Sequence, residues 1–257
     1  MGINLRDKIR GALIGTAIGD SLGAPLEGGP SRRIAAADLP VGRALRWTDD
    51  TQMMLDTAGW VASGANAPED LLRRLSDGYE AALGYGHGTK LVLMAFRSGR
   101  PWGACPFVAW PDGSQGNGAC ARVAPVACRH ISSQAMTEQV ARMSSWVTHA
   151  HPAAIAGAVI QAESVRRLLG TEPEVFATGV LLDGIEATAG QLGGWVAPAA
   201  GSVRELVSSE APAARVRAAF RCDAPFGPGD AARGMVGRGE RGRPAARVVR
   251  GSHHGRR

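Results

Sequence analysis

Apolar side chains in this chain return at helical spacing wherever a period can be found, and the alternation that a strand needs is almost absent. Over residues 5–22, Ile9, Leu13 and Ala17 recur every four residues, and Gly11, Gly15 and Gly19 form a second row at the same step. Positions four apart share one helix face, so the pattern predicts a helix whose glycine row another helix or a loop can approach closely. Further helices are expected over 51–61, 68–83, 89–97, 136–147, 152–169 and 173–189. Pro68 suits a first helical turn, and Glu69 and Asp70 favour its positive end. The connections over 23–29, 84–88 and 101–118 are rich in glycine, and Trp102, Phe107 and Trp110 argue that the longest of them packs. The expectation is a single all-α domain whose inter-helix loops gather into a site.

Composition limits what else the chain can be. With 45% apolar and 20% charged residues in 257, most of it buries enough surface to fold. The net charge of +6 suggests nucleic acid until it is located. Over 226–257, eight arginines face only Asp230 and Glu240, which accounts for the whole excess and leaves the first 225 residues neutral. Nucleic-acid binding is therefore arguable for that tail alone, and is not expected of the rest. The same 32 residues hold eight glycines and few large apolar side chains, so a disordered tail is expected. A boundary near 220 divides a helical domain, 1–220, from an atypical Arg/Gly-rich segment, 221–257.

Cys105, Cys120, Cys128 and Cys222 form neither a C-x-x-C pair nor a disulfide framework, which fits a reducing compartment. Arg6, Lys8 and Arg10 precede an apolar stretch of only seven residues, 12–18, too short and without the cleavage site of a secretion signal. No run approaches the ~20 apolar residues of a membrane-spanning helix. The expectation is a soluble, cytoplasmic protein.

Chemistry concentrates in a few clusters. Trp47-Thr48-Asp49-Asp50-Thr51 is the densest polar group in an apolar region. One reading is a helix start, with Asp49 as the N-cap and Gln52 completing a capping box. The other is a cation site, because a hydroxyl and two adjacent carboxylates are hard oxygen donors that suit Mg²⁺ or Mn²⁺ over zinc. Glu27 follows a Gly and Pro break and is expected at a loop mouth, whereas Asp20, among small residues, is expected to cap or brace neighbouring loops. Gly113-Ser114-Gln115-Gly116-Asn117-Gly118 is either an ordinary Asn-Gly turn or, if a helix starts near Ala119, a cradle of backbone N–H groups for phosphate oxygens. His149 and His151, two apart before a helix, fit a hydrogen-bonding role better than zinc.

Taken in order, these clusters resemble the ADP-ribosylglycohydrolase family, which includes dinitrogenase-reductase-activating and ADP-ribosylarginine hydrolases. The resemblance rests on G-D-S-L-G-A-P-L-E (19–27), W-T-D-D-T-Q (47–52), G-Y-G-H-G-T (84–89), S-Q-G-N-G (114–118) and T-H-A-H-P (148–152), and covers about residues 5–190. It implies an all-helical fold with two adjacent divalent ions, usually Mg²⁺, binding the hydroxyls of the released ribose. Thr48, Asp49 and Asp50 would be metal ligands and Glu27 the catalytic carboxylate or a movable ligand. Ser114, Gly116, Asn117, Gly118 and His149 would hold the diphosphate and distal ribose. The implied partner is ADP-ribose or an ADP-ribosylated protein. Cleaving a ribosyl bond develops oxocarbenium character, which explains the need for a carboxylate to activate water and assist the leaving group.

The family completes its two-ion site with a D-x-D-T segment near the C-terminus, followed by a small-residue helix. After residue 190 the aspartates here are Asp223 and Asp230, and neither begins that pattern. One expectation is that residues from about 221 onward are a replaced end, as a reading-frame change would produce. Losing half the ligands is expected to weaken metal binding severely and puts activity in question. Three functions follow in rank: Mg²⁺-dependent hydrolysis releasing ADP-ribose, ADP-ribose binding without turnover, and, well behind, nucleic-acid binding by the tail.

Overall fold

A computed structural model describes residues 4–26, 45–64, 67–211 and 215. Among these residues all regular structure is helical. The helices are α1 (Leu5–Gly23), α2 (Asp49–Ala62), α3 (Pro68–Asp77), α4 (His87–Arg97), α5 (Gly118–Ala121), α6 (Ala124–Arg129), α7 (Gln134–Trp146), α8 (Pro152–Leu169), α9 (Thr178–Leu192) and α10 (Ala197–Ser208). None is long and apolar enough to cross a membrane.

The organising element is α8. His151 caps its start by accepting from the Ala153 N–H at 3.0 Å, and Pro152, which has no N–H to satisfy, takes the first helical position. Its buried face is built mainly from small residues, Ala153, Ala154, Ala156, Ala158, Val159 and Ala162, so α5, α6, α7 and α9 can all pack closely on it. Beside this lies the main core, where Trp60 of α2, Leu71, Leu72 and Leu75 of α3, and Val92 and Leu93 of α4 are essentially removed from water. Each such Leu contributes about 2 kcal/mol of apolar burial. The solvent face of α3 carries the opposite pattern, with Arg73 paired to Glu69 and Asp70.

Helix α1 is attached differently. It has no fully buried residue, and Ile14 and Ile18 are 57% and 53% exposed. It is pinned at its ends by polar contacts. Near the start, Lys8 Nζ donates to the Thr171 carbonyl (3.0 Å) and to Glu172 (2.9 Å), beyond the end of α8. Near the other end, Asp20 grips the start of α2. The close approach expected over Gly11, Gly15 and Gly19 is not found among the described residues, since a Cβ on any of them would meet nothing within 4 Å.

Two helices expected from periodicity are shorter than their apolar pattern. The 68–83 stretch stops at Asp77, because Gly78 turns the chain where the Asp56 carboxylate lies 2.5 Å from the position of a Cβ. Only a single turn, Ala81–Leu83, follows. In the 173–189 stretch, Pro173–Val175 forms one tight turn, extended backbone at Ala177 interrupts, and α9 starts at Thr178. The 101–118 connection packs as expected: Trp102 and Phe107 meet Trp146 edge-on at 5.4 and 5.9 Å. The tail over 221–257 lies outside the described residues.

Candidate active site

The polar cluster at 47–51 forms the start of α2. Thr48 is extended (φ −108°, ψ −167°) and its hydroxyl accepts the Asp50 N–H at 3.3 Å, so the N-cap is Thr48 and not Asp49. Asp49 and Asp50 occupy the first turn, where the helix dipole favours negative charge. Asp20 reaches across from α1, 28 residues earlier in sequence. Its Oδ2 accepts the N–H groups of Thr48 (2.8 Å) and Thr51 (3.2 Å) and the Thr51 hydroxyl (2.5 Å), and its Oδ1 accepts the Thr48 hydroxyl (2.7 Å). The expected brace is thus a four-bond clamp on the segment that carries both candidate carboxylates.

The 113–118 loop is seated against residues 149–151. Gly113 has φ +83°, and a Cβ there would lie 2.7 Å from the His151 backbone nitrogen, so both conformation and space require glycine. Ser114 is buried and its Oγ accepts the Gly116 N–H at 3.1 Å, while Gln115 meets His151 Nε2 at 3.1 Å. His149 is 4% exposed and lies under the loop, its ring 3.1–3.3 Å from where side chains on Gly116 and Gly118 would begin. Its Nδ1 is 2.7 Å from the Thr148 hydroxyl. Burial, with the nearby charge of Arg122, lowers its pKa to about 3, so the ring is neutral at physiological pH. The structure thus buries Ser114 and the His149 ring that packs under the loop, and leaves Asn117, the N-cap of α5, exposed.

The two clusters meet at α5. The loop ends at Gly118, whose would-be Cβ lies 3.4 Å from Met53 on α2, and the following Cys120 and Ala121 line a cavity of about 540 Å³ together with Asp20 and Asp50. Ala12 and Thr16 of α1 and Gln161 and Val165 of α8 complete much of its wall. Residues 114–118 do not line this cavity; they sit at the other end of α5. Glu27 lies outside the described residues.

Beneath both clusters is a buried ionic group that the motifs do not reveal. Arg122 is fully buried, donates to the Ser144 carbonyl, and contacts Met53 Sδ at 3.6 Å. Desolvation lowers its pKa to about 10 against the charges of Asp56 and Asp50. Burial raises Asp56 to about 6, opposed by Gln52 and Arg122. Tyr85, 2% exposed, has its phenol pushed well up by burial and by Asp56 and Asp49. The sequence signal for this group is a single arginine inside the apolar run 119–127.

Hard oxygen donors are present at Thr48, Asp49 and Asp50, in keeping with a divalent cation such as Mg²⁺. Among the described residues no group of three His, Cys, Asp or Glu side chains is placed to hold a metal.

A family model described as ADP-ribosylglycohydrolase matches residues 1–244. The chain is similar to the ADP-ribosylarginine hydrolase Tri1 of Pseudomonas putida (strain GB-1), 34% identical over 160 residues covering 56% of this chain and 42% of that one. It is similar also to ADP-ribosylhydrolase ARH3 of Danio rerio, 26% identical over 185 residues covering 63% and 48%. A solved structure described as an ADP-ribosylglycohydrolase-related protein complex superposes with a TM-score of 0.54 at 26% identity, covering 72% of this chain and 62% of that chain. The chain spans about half the length of the curated relatives it matches.

Proposed function

This chain belongs to the ADP-ribosylglycohydrolase family, and from that premise we propose that it binds ADP-ribose and hydrolyses the glycosidic bond joining it to a protein or small molecule. The observation that carries the reading is the joint at α5, with the glycine loop held by His149 at one end and Asp50 facing Cys120 and Ala121 at the other. A ligand with a diphosphate in its middle and a reacting ribose at one end has two chemically different parts to be held, and α5 lies between two chemically different clusters.

In this reading the backbone N–H groups of Gly116, Asn117 and Gly118 take phosphate oxygens, Ser114 sets the loop's turn, and neutral His149 supports it from below. Thr48, Asp49 and Asp50 would hold a divalent ion, Mg²⁺ or Mn²⁺; when bound, it would fix the ribose hydroxyls and lower the pKa of a coordinated water. A second ion, as in the family, would lack the ligands of the D-x-D-T segment, which this sequence does not contain. Glu27 serves as the catalytic carboxylate, activating water and assisting the leaving group. The partner is ADP-ribose or an ADP-ribosylated protein, and the cytoplasm is the proposed compartment, supported by Cys105, Cys120 and Cys128 as free thiols.

The test is chromatographic detection of free ADP-ribose after incubation with arginine- and serine-ADP-ribosylated peptides, with Mg²⁺ or with EDTA. The reading expects release with Mg²⁺, none with EDTA, and loss in Glu27→Gln. The missing D-x-D-T segment favours one second reading, ADP-ribose binding without turnover. Tight ligand binding with no release under any condition, unaffected by Glu27→Gln, would establish that reading instead.

A further inference from the structure

We infer that Asp20 is a positioning residue that sets the direction of the Thr48 hydroxyl, so that Thr48 keeps an oxygen lone pair, and not a proton, for a cation beside Asp50. This rests on the reading of Thr48 as a cation ligand. A carboxylate has acceptors and nothing to donate, whereas a threonine hydroxyl has one proton and two lone pairs. Asp20 Oδ1 lies 2.7 Å from the Thr48 hydroxyl, which therefore gives its one proton to Asp20. One lone pair takes the Asp50 N–H at 3.3 Å, and one is left. Asp20 also lines the cavity; three of its four bonds fall on Oδ2, and its Oδ1 is the atom that takes the Thr48 proton. A cation requires a lone pair at this point, and a hydroxyl free to rotate would offer either pole.

The asymmetry of the clamp makes the inference testable at one atom. Oδ2 faces two backbone N–H groups, which must keep an acceptor. In Asp20→Asn the amide oxygen stays at that position, and the amide nitrogen falls at Oδ1, against the Thr48 hydroxyl. The nitrogen donates, the hydroxyl oxygen must accept, and the Thr48 proton turns outward. Thr51→Val is the control: it removes one bond of the same clamp and leaves the Thr48 hydroxyl as it was.

The experiment is a Mn²⁺ titration of the full chain without substrate, read by electron paramagnetic resonance, alongside thermal melts and NMR observation of the two threonine hydroxyl protons. Asp20→Asn should lose the protected Thr48 hydroxyl signal, keep that of Thr51, and weaken Mn²⁺ binding by about 10- to 100-fold, as changes to a ligand's supporting partner do. Thr51→Val should keep the Thr48 signal and stay within about twofold of wild type in Mn²⁺ affinity, even at a similar loss of melting temperature. Equal losses of affinity in the two variants, tracking stability, would overturn the inference, as would an unchanged Thr48 signal in Asp20→Asn. If wild type and Thr48→Val take up Mn²⁺ alike, or neither does, the cation reading itself fails, and the hydroxyl signals still report separately what Asp20 holds.

Discussion

Acidification should separate the wild type from His149→Asn in a way that only a buried, neutral His149 produces. The imidazole is 4% exposed and carries a pKa of about 3 in the folded protein, against 6.5 when free. Above pH 6.5 neither state binds the proton and this residue adds no pH dependence. Below 6.5 the unfolded chain takes it up while the folded protein does not, so stability falls as pH falls, until the folded pKa is reached. Integrating the linkage between the two pKa values gives a loss of about 2 kcal/mol between pH 7 and 5, and about 3 kcal/mol by pH 4. Asp56 works against this in the wild type. Its folded pKa of about 6 lies above the ordinary 3.8, so its protonation favours the folded state as pH falls through 6. The raw stability curve is therefore flattened, and the difference between proteins is the informative quantity. His149→Asn carries a constant cost for lost packing, but its gap to wild type should narrow by about 2 kcal/mol from pH 7 to 5 in urea unfolding. A gap constant to within about 0.5 kcal/mol would show that the ring ionises freely in the folded protein and refute the buried support assigned to it.

Two further outcomes follow from the same region. Gly113→Ala should cost about 2–3 kcal/mol in denaturant unfolding and more than Gly116→Ala, because it combines a φ of +83° with a clash against the His151 backbone, whereas Gly116 faces side-chain atoms at 3.2–3.3 Å. Comparable costs would mean that the loop is not seated on 149–151. Arg122→Met should raise the apparent pKa of Asp56 further above its already elevated value, since Arg122 is one of the groups holding it down; NMR titration of the carboxyl carbon checks this, and a fall would remove the buried ionic group from the account.

How far the sequence could be read depended on where each decision is made. The ends of α8 are local events, Pro152 after a capping His151 and Gly170 at its close, and the expected 152–169 coincides with the helix. The stop at Gly78 depends on Asp56 from another helix, so periodicity ran past it to 83. Helices α5, α6 and α10 are short or built largely from small residues, and they leave no amphipathic stripe to detect. In the site, the motifs brought together Ser114, Gly116, Gly118 and His149, and set Thr48 beside Asp49 and Asp50, as the structure does. Asp20 was legible as a brace, but not its partners, which lie 28 and 31 residues away. Arg122 was legible as a residue following the 113–118 loop, but not its burial or its partners Ser144 and Met53, because a buried charge is recognisable only once its surroundings are known. Glu27 and the tail remain expectations from sequence.

The central claim, that the start of α2 and the loop on His149 serve one nucleotide-sugar ligand with a divalent ion, is tested most directly by calorimetric titration of ADP-ribose with and without Mg²⁺. The account predicts binding in both cases, tightened by Mg²⁺ in the wild type and indifferent to Mg²⁺ in Asp50→Ala. Absence of binding, or an affinity that neither Mg²⁺ nor Asp50→Ala alters, would contradict it.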